Sequence, residues 1–249
     1  MNGQYEVISE IYDELSGVDT DRWAEYIDSL LKKHSVIPCE LVLDAACGTG
    51  KLTSKLAEVG YDMIGLDISY GMLSAARERC PMNILLLNQD MRDFELYGTV
   101  SAVISCLDSV NYLDSDGAEK FFSCCHLYLD PNGLLIFDIN TEYKFENVYG
   151  ENDFILENDT GEHLLAWSCG YDRSKKSCLF SLSLFSQNKN GTYTREDEQQ
   201  TEYCHSDDFI RSTLEKCGFE LLAVYGELSD TAPSPTSQRA HYVCRAIKG

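Results

Sequence analysis

Three carboxylates and two glycines, spaced around apolar runs, carry the chemical signal in this chain. Asp44 follows Leu41-Val-Leu, and the turn Gly48-Thr-Gly50 comes four residues later. Asp67 closes the run Tyr61-Asp-Met-Ile-Gly-Leu, and Asp90 closes Ile84-Leu-Leu-Leu-Asn-Gln. Branched apolar runs of this kind read as buried strands, and the glycines let the backbone turn sharply into a helix starting near Lys51. Open α/β sheets bind ligands at the carboxyl ends of their strands, so three strand-end acids in succession describe one crevice. Carboxylates there can accept hydrogen bonds from sugar hydroxyls or an exocyclic amine, and the helix start can offer its amides to an anion.

A dinucleotide-binding turn would place a third glycine where this chain has Thr53. Taken together, Asp44-x-x-Cys47-Gly48-x-Gly50, Asp67 and Asp90-Met91 resemble the motifs of class I S-adenosylmethionine-dependent methyltransferases, over roughly residues 41 to 138. The resemblance implies S-adenosyl-L-methionine as cofactor. It places Ala46, Gly48 and Gly50 against the methionine part, and Asp67 on both ribose hydroxyls with Ile68 and Met72 beside it. Asp90 would receive the adenine amino group, with Met91 offering an amide and an apolar face. Asp44 would order the turn or the ammonium end of the cofactor. A carboxylate on the ribose also repels a 2′-phosphate, which disfavours NADP. Read singly, a strand-end aspartate is also a helix cap or turn former, and Asp93 competes with Asp90.

The segment Cys106-Leu-Asp-Ser-Val-Asn-Tyr112 is similar to the corresponding piece of glycine N-methyltransferase and of sugar N,N-dimethyltransferases. That similarity implies a backbone carbonyl of Cys106 near the cofactor, and Asp108 and Ser109 toward the substrate. Asp108 and Tyr112 are the candidate catalytic pair. The carboxylate would bind an ammonium, and the phenol or a water would relay its proton, since an amine must be neutral to attack. An aromatic packed under a lid is the other reading of Tyr112. His126 reads as structural, and spacing does not choose among His163, His205 and His241.

Regular elements must hold these residues. Ile8, Ile11, Tyr12 and Leu15 have helical spacing, as do Trp23, Tyr26, Ile27, Leu30 and Leu31, with Pro38 as a stop. These helices precede the first strand, where related methyltransferases often keep a lid, so Tyr5, Tyr12 and Trp23 are candidates to cover the cofactor. Helix 51 to 59, strand 62 to 67, helix 69 to 79, strand 83 to 88, strand 100 to 105, helix 116 to 128 and strand 134 to 139 then alternate. A turn at Asp130-Pro-Asn-Gly133 separates the last two. The alternation predicts an α/β fold, a doubly wound, seven-stranded, mostly parallel sheet of Rossmann-like methyltransferase type. Residues 140 to 205 break the rhythm and read as a small antiparallel β insertion. The core is then 1 to 139 with 206 to 249. Ser206 caps a helix over 207 to 217, and strands 219 to 226 and 240 to 247 form the final hairpin. The insertion would roof the site or support a homodimer.

The totals narrow the function. A chain of 249 residues and 28.1 kDa suits one α/β domain with one insertion. A net charge of −21 with no basic stripe repels phosphate backbones, which favours a small-molecule acceptor over nucleic acid. Eleven cysteines without a C-x-x-C pair argue against zinc or a disulfide framework. No metal is expected. The lack of a signal-like start or a membrane-length apolar run leads to the expectation of a cytoplasmic protein without membrane contact. The expected activity is methyl transfer to a small molecule, at nitrogen rather than oxygen. A protein acceptor is a further reading within the enzyme class. A cofactor-binding regulator that docks a partner on the β insertion is the alternative.

Overall fold

The computed structural model describes residues 7–9, 11–150 and 152–248. Tyr5 lies outside them. Within them the chain opens with a one-turn helix α1 (Tyr12–Leu15) and a long helix α2 (Thr20–His34). The alternating core follows as β1 (Leu41–Ala45), α3 (Lys51–Val59), β2 (Asp62–Asp67), α4 (Tyr70–Arg79), β3 (Leu85–Asn88) and β4 (Val100–Ser105). A 3₁₀ turn (Ser109–Tyr112), α5 (Ser115–Tyr128) and β5 (Leu129–Asn140) complete its first half. Then come α6 (Glu142–Lys144), a π turn (Phe145–Tyr149), and the strands β6 (Asp153–Glu157), β7 (His163–Asp172), β8 (Ser177–Gln187) and β9 (Tyr193–Tyr203). Helix α7 (Asp207–Lys216), β10 (Phe219–Gly226) and β11 (Arg239–Ala246) close the fold.

Seven strands form one sheet in the order β10-β11-β5-β4-β1-β2-β3, in which only β11 runs against its neighbours. The other four form a separate antiparallel sheet, β6-β7-β8-β9. Alternate side chains of β1 serve opposite faces, as strand geometry requires. Leu43 packs with Phe121, Phe122 and Cys125 of α5 and Ile210 and Leu214 of α7. Val42 packs with Ile27, Leu30 and Leu31 of α2 and Leu52 and Leu56 of α3. Both faces are covered, and β4 is buried along its whole length. That explains why its sequence reads as a run rather than an alternation.

Local chemistry sets the ends. The Ser69, Asp114 and Ser206 side chains accept from the backbone amides of Met72, Gly117 and Phe209 and start α4, α5 and α7. Gly60, at φ 119°, stops α3. Three expectations need correction. The helical spacing from Ile8 yields a helix only from Tyr12, because Ile8, Ile11 and Leu15 are buried against Leu165, Leu182 and Leu184 of the small sheet, and that docking rather than a long helix satisfies them. Helix α2 ends at His34, before Pro38, with Lys32, Lys33 and His34 complementing its C-terminus. The Asp130-Pro-Asn-Gly133 turn does not precede the strand. It bulges out of β5, where pairing with β4 jumps from Val100↔Leu129 to Ala102↔Leu134 and Asn132 takes φ 65°.

Candidate active site

The turn after β1 is built from left-handed backbone, with Ala46 at φ 64°, Gly48 at 54° and Gly50 at 71°. The two glycines serve different ends. A Cβ on Gly50 would stand 2.7 Å from Cys80 Sγ and 3.0 Å from Ala76 Cβ, so Gly50 lets α4 pack against the turn. A Cβ on Gly48 would meet only Met72 Sδ, at 4.0 Å, and would project into the cleft. Asp44 is buried and accepts from Thr53 Oγ1 at 2.6 Å, so the residue standing in place of a third glycine ties the following helix to the strand-end acid. Burial pushes the Asp44 pKa up to about 7, against the pull of the Thr53 hydroxyl.

Asp67 faces the same cleft. Its Oδ2 accepts from Gly48 N at 2.9 Å and its Oδ1 from Ser69 N at 2.8 Å, which fixes the carboxylate while leaving lone pairs of a four-site acceptor unassigned. Burial raises its pKa and these amides oppose the rise. Asp90 Oδ1 accepts from Arg92 N and Nε, both at 2.9 Å, and the Arg92 hydrogen bond holds its pKa low.

These groups surround a cavity of about 390 Å³, within the range of small-molecule sites. Ala46, Gly48, Asp67, Ile68, Met72, Asp90, Met91 and Cys106 line it. So do Tyr12 and Trp23 from the two opening helices, and Tyr112 from the 3₁₀ turn. Asp44 and Gly50 sit just behind the wall. Asp108 does not line the cavity. Its Oδ1 accepts from Arg239 Nη2 at 2.6 Å, and its own amide, at φ 57°, donates to Asp138 Oδ2 at 2.9 Å. Tyr112 donates its hydroxyl to Gln200 Oε1 at 3.1 Å. The Cys106 carbonyl accepts from Ser109 Oγ at 2.7 Å. Burial pushes the Cys47 and Cys106 thiols well up, so neither is a ready thiolate.

None of His126, His163, His205 or His241 lines the cavity. His126 bonds the Ile247 carbonyl, His163 the Ser186 hydroxyl and His205 the Leu113 carbonyl. Burial lowers His241 to about 4, where it accepts from Leu228 N. Among the described residues no cluster could hold a metal ion, and no helix is long and apolar enough to cross a membrane.

Behind the cavity lies a polar cluster of which sequence reasoning named only Asp108. Arg239 pairs with Asp108 and Asp138. Asn140 Nδ2 donates to Glu202 Oε2 at 2.9 Å, and Lys144 Nζ donates to Asn140 Oδ1 at 2.9 Å. Asn111 joins the two sheets, accepting from Asn140 N at 2.8 Å and donating to the Tyr203 carbonyl at 2.9 Å. Asp138-x-Asn140 at a strand end was a readable signal. Glu202 and Arg239 were not, because β9 and β11 bring them in from distant sequence.

A seven-stranded doubly wound sheet with an acid-lined cleft at the carboxyl ends of β1, β2 and β3 defines a nucleotide-cofactor enzyme, and its glycine turn and lid fit a sulfonium nucleoside. Comparison with known proteins gives the family. Residues 42–133 match the family model described as a methyltransferase domain. The chain is 32% identical over 250 residues to a putative methyltransferase, YqeM, of Bacillus subtilis, covering 98% of both. It is 35% identical over 136 residues to a dTDP-3-amino-3,6-dideoxy-alpha-D-glucopyranose N,N-dimethyltransferase of Streptomyces fradiae, covering 52% of this chain and 51% of that one. The crystal structure of an S-adenosylmethionine-dependent methyltransferase from Clostridium acetobutylicum superposes with TM-score 0.86 at 27% identity, covering 99% of this chain and 100% of that one. The chain belongs to the S-adenosylmethionine-dependent methyltransferases, and is an enzyme of that class.

Proposed function

We propose that this methyltransferase modifies nitrogen on a small, amine-bearing acceptor. The observation that carries the reading is the set of carboxyl groups behind the cavity, Asp108, Asp138 and Glu202, of which Asp108 is the partly exposed one. Such a set suits a cationic nitrogen. The similarity to a sugar N,N-dimethyltransferase supports it, and the chain's strongly negative charge attracts amines over anions.

In this reading the cofactor supplies an activated methyl group, and the chain supplies placement. Gly48 admits the methionine end, Asp67 takes the ribose hydroxyls, and Asp90 with Met91 takes the adenine. Tyr12 and Trp23 exclude water from above. Tyr112 and Asp108 border the acceptor, with Asp108 kept ionised: burial, the largest influence, opposes its charge, but the Arg239 guanidinium and the Lys144 ammonium together hold the pKa low. Residues 140–205 serve as the roof.

Incubation with methyl-labelled S-adenosylmethionine and matched amine and alcohol panels tests this reading. Label on nitrogen supports it, and label only on oxygen acceptors overturns it.

A further inference from the structure

The cofactor carries one anionic group, the carboxylate of its methionine part, and the cleft that receives it is lined with acids. Asp13, Asp67 and Asp90 all reach its wall. A carboxylate brought beside them into a partly enclosed site needs a cation of its own. Among the described residues that line the cavity, two side chains are cationic, Lys51 and Arg92. Arg92 is engaged by Asp90, its Nε lying 2.9 and 3.0 Å from the two carboxylate oxygens. Arg22, next to Trp23, is exposed and stays off the wall. Arg79 grips Asp13 from α4 at 2.5 Å. That leaves Lys51.

Lys51 opens α3 directly after Gly50. Its Nζ lies 3.4 Å from the Asp13 carbonyl oxygen and 3.5 Å from Asp13 Oδ1. Both are long for an ammonium, whose bonds to carboxylate oxygens run at about 2.7–2.9 Å. Asp13 does not depend on it, because Thr49 Oγ1 at 2.8 Å and Arg79 Nη2 at 2.5 Å already hold that carboxylate. An ammonium has three donors. The Lys51 side chain is 37% exposed, and Gly48, Thr49 and Leu52 beside it line the same wall. We infer that Lys51 is the counter-ion of the cofactor's carboxylate, and the residue by which the cleft tells an amino-acid nucleoside from one that lacks this group. In that position its ammonium also stands between the cofactor carboxylate and Asp13, two like charges that otherwise repel. The inference rests on placing the methionine end beside Gly48 in the reading above, and not on the nature of the acceptor.

The test is calorimetry on the whole protein with two ligands, S-adenosylhomocysteine and its decarboxylated analogue, which keeps the amine and lacks the carboxylate. Lys51→Met removes the ammonium and keeps the apolar stem. The Lys51 ammonium makes only the two long contacts with Asp13, so the variant should melt near the parent. Should it not fold, Lys51→Gln carries the same comparison. The expected result is S-adenosylhomocysteine bound about 5- to 20-fold more weakly by the variant, as loss of a partly exposed charged hydrogen bond implies. The decarboxylated analogue should stay within about 2-fold of the parent, because it has no group for the ammonium to hold. Equal losses for the two ligands, or no loss for S-adenosylhomocysteine, overturn the inference. Gly48→Ala, measured alongside, separates the two ways of failing. If it weakens both ligands while Lys51→Met weakens neither, the role of Lys51 alone falls. If both variants bind like the parent, the methionine end lies elsewhere, and its placement beside Gly48 falls as well.

Discussion

Thr49, in the glycine turn, donates its hydroxyl to Asp13 Oδ1 at 2.8 Å, which ties α1 to the wall of the cleft. Arg79 of α4 closes the same knot. Its Nη2 lies 2.5 Å from Asp13 Oδ2 and its Nη1 donates to the Thr49 carbonyl. Helix α1 is thus held by one aspartate that answers to both the turn and the helix following β2.

Asp13→Ala should therefore loosen the lid rather than the fold. Partly exposed ion pairs and hydrogen bonds of this kind contribute about 0.5–1.5 kcal/mol. The expected outcome is S-adenosylmethionine bound roughly 2–10-fold more weakly, with the change in the dissociation rate. Stopped-flow displacement reads this directly, and an unaltered off-rate would show that the knot does not gate the cleft.

In the proposed reading Asp67→Ala removes an acceptor for two ribose hydroxyls, and it frees the amides of Gly48 and Ser69. Loss of charged hydrogen bonds should weaken the cofactor by about 2–3 kcal/mol. Asp67→Asn should recover part of it, because the amide oxygen can still accept one of the two amides. Calorimetry with S-adenosylhomocysteine separates the three proteins. Equal affinities would remove Asp67 from the ribose.

Asp44 predicts a pH dependence of stability. Its pKa in the folded protein is raised by burial to about 7, above the ordinary aspartate value. The folded state then holds a proton that the unfolded chain has lost. Stability from this group is full below about pH 4, declines as pH rises to about 7, and is flat above. Asp44→Asn should be less sensitive to pH between pH 5 and 8, by about 3 kcal/mol. Urea midpoints at pH 5 and 8 for both proteins check it. Parallel midpoints would mean that Asp44 stays ionised throughout.

Legibility followed the range of the interactions. The succession of strands β1 to β5 was readable because each strand carries its own apolar run, and the first three are each marked by an acid at or just past the strand end. Caps at Ser69 and Ser206 were readable because they act within three residues. The lid over Tyr12 and Trp23 came from resemblance, not from spacing, and spacing overstated the first helix because docking on a distant sheet also selects apolar residues. Asp108 was read as free to meet a substrate because nothing near it in sequence announces Arg239, 131 residues away. A buried ion cluster formed by three strands and two turns has no periodic signature, so that end of the site became visible only in three dimensions.

The two glycines of the turn should fail in different ways when replaced by alanine. Both lie at positive φ, which costs an L residue roughly 1–2 kcal/mol. At Gly50 the added methyl also collides with Cys80 and Ala76 of α4, and overpacking adds about 1–3 kcal/mol. Gly50→Ala should thus lower the melting temperature by several degrees more than Gly48→Ala does. At Gly48 the methyl meets open cleft beside Met72, so the fold bears only the backbone cost while the space for the cofactor shrinks. Gly48→Ala should lose at least 10-fold in S-adenosylmethionine affinity while its melting temperature falls only by the few degrees that the backbone cost implies. The decisive comparison is the ratio of lost affinity to lost stability in the two variants. If Gly50→Ala melts like the parent, α4 does not depend on that close approach, and if Gly48→Ala binds like the parent, the methionine end of the cofactor lies elsewhere in the cleft.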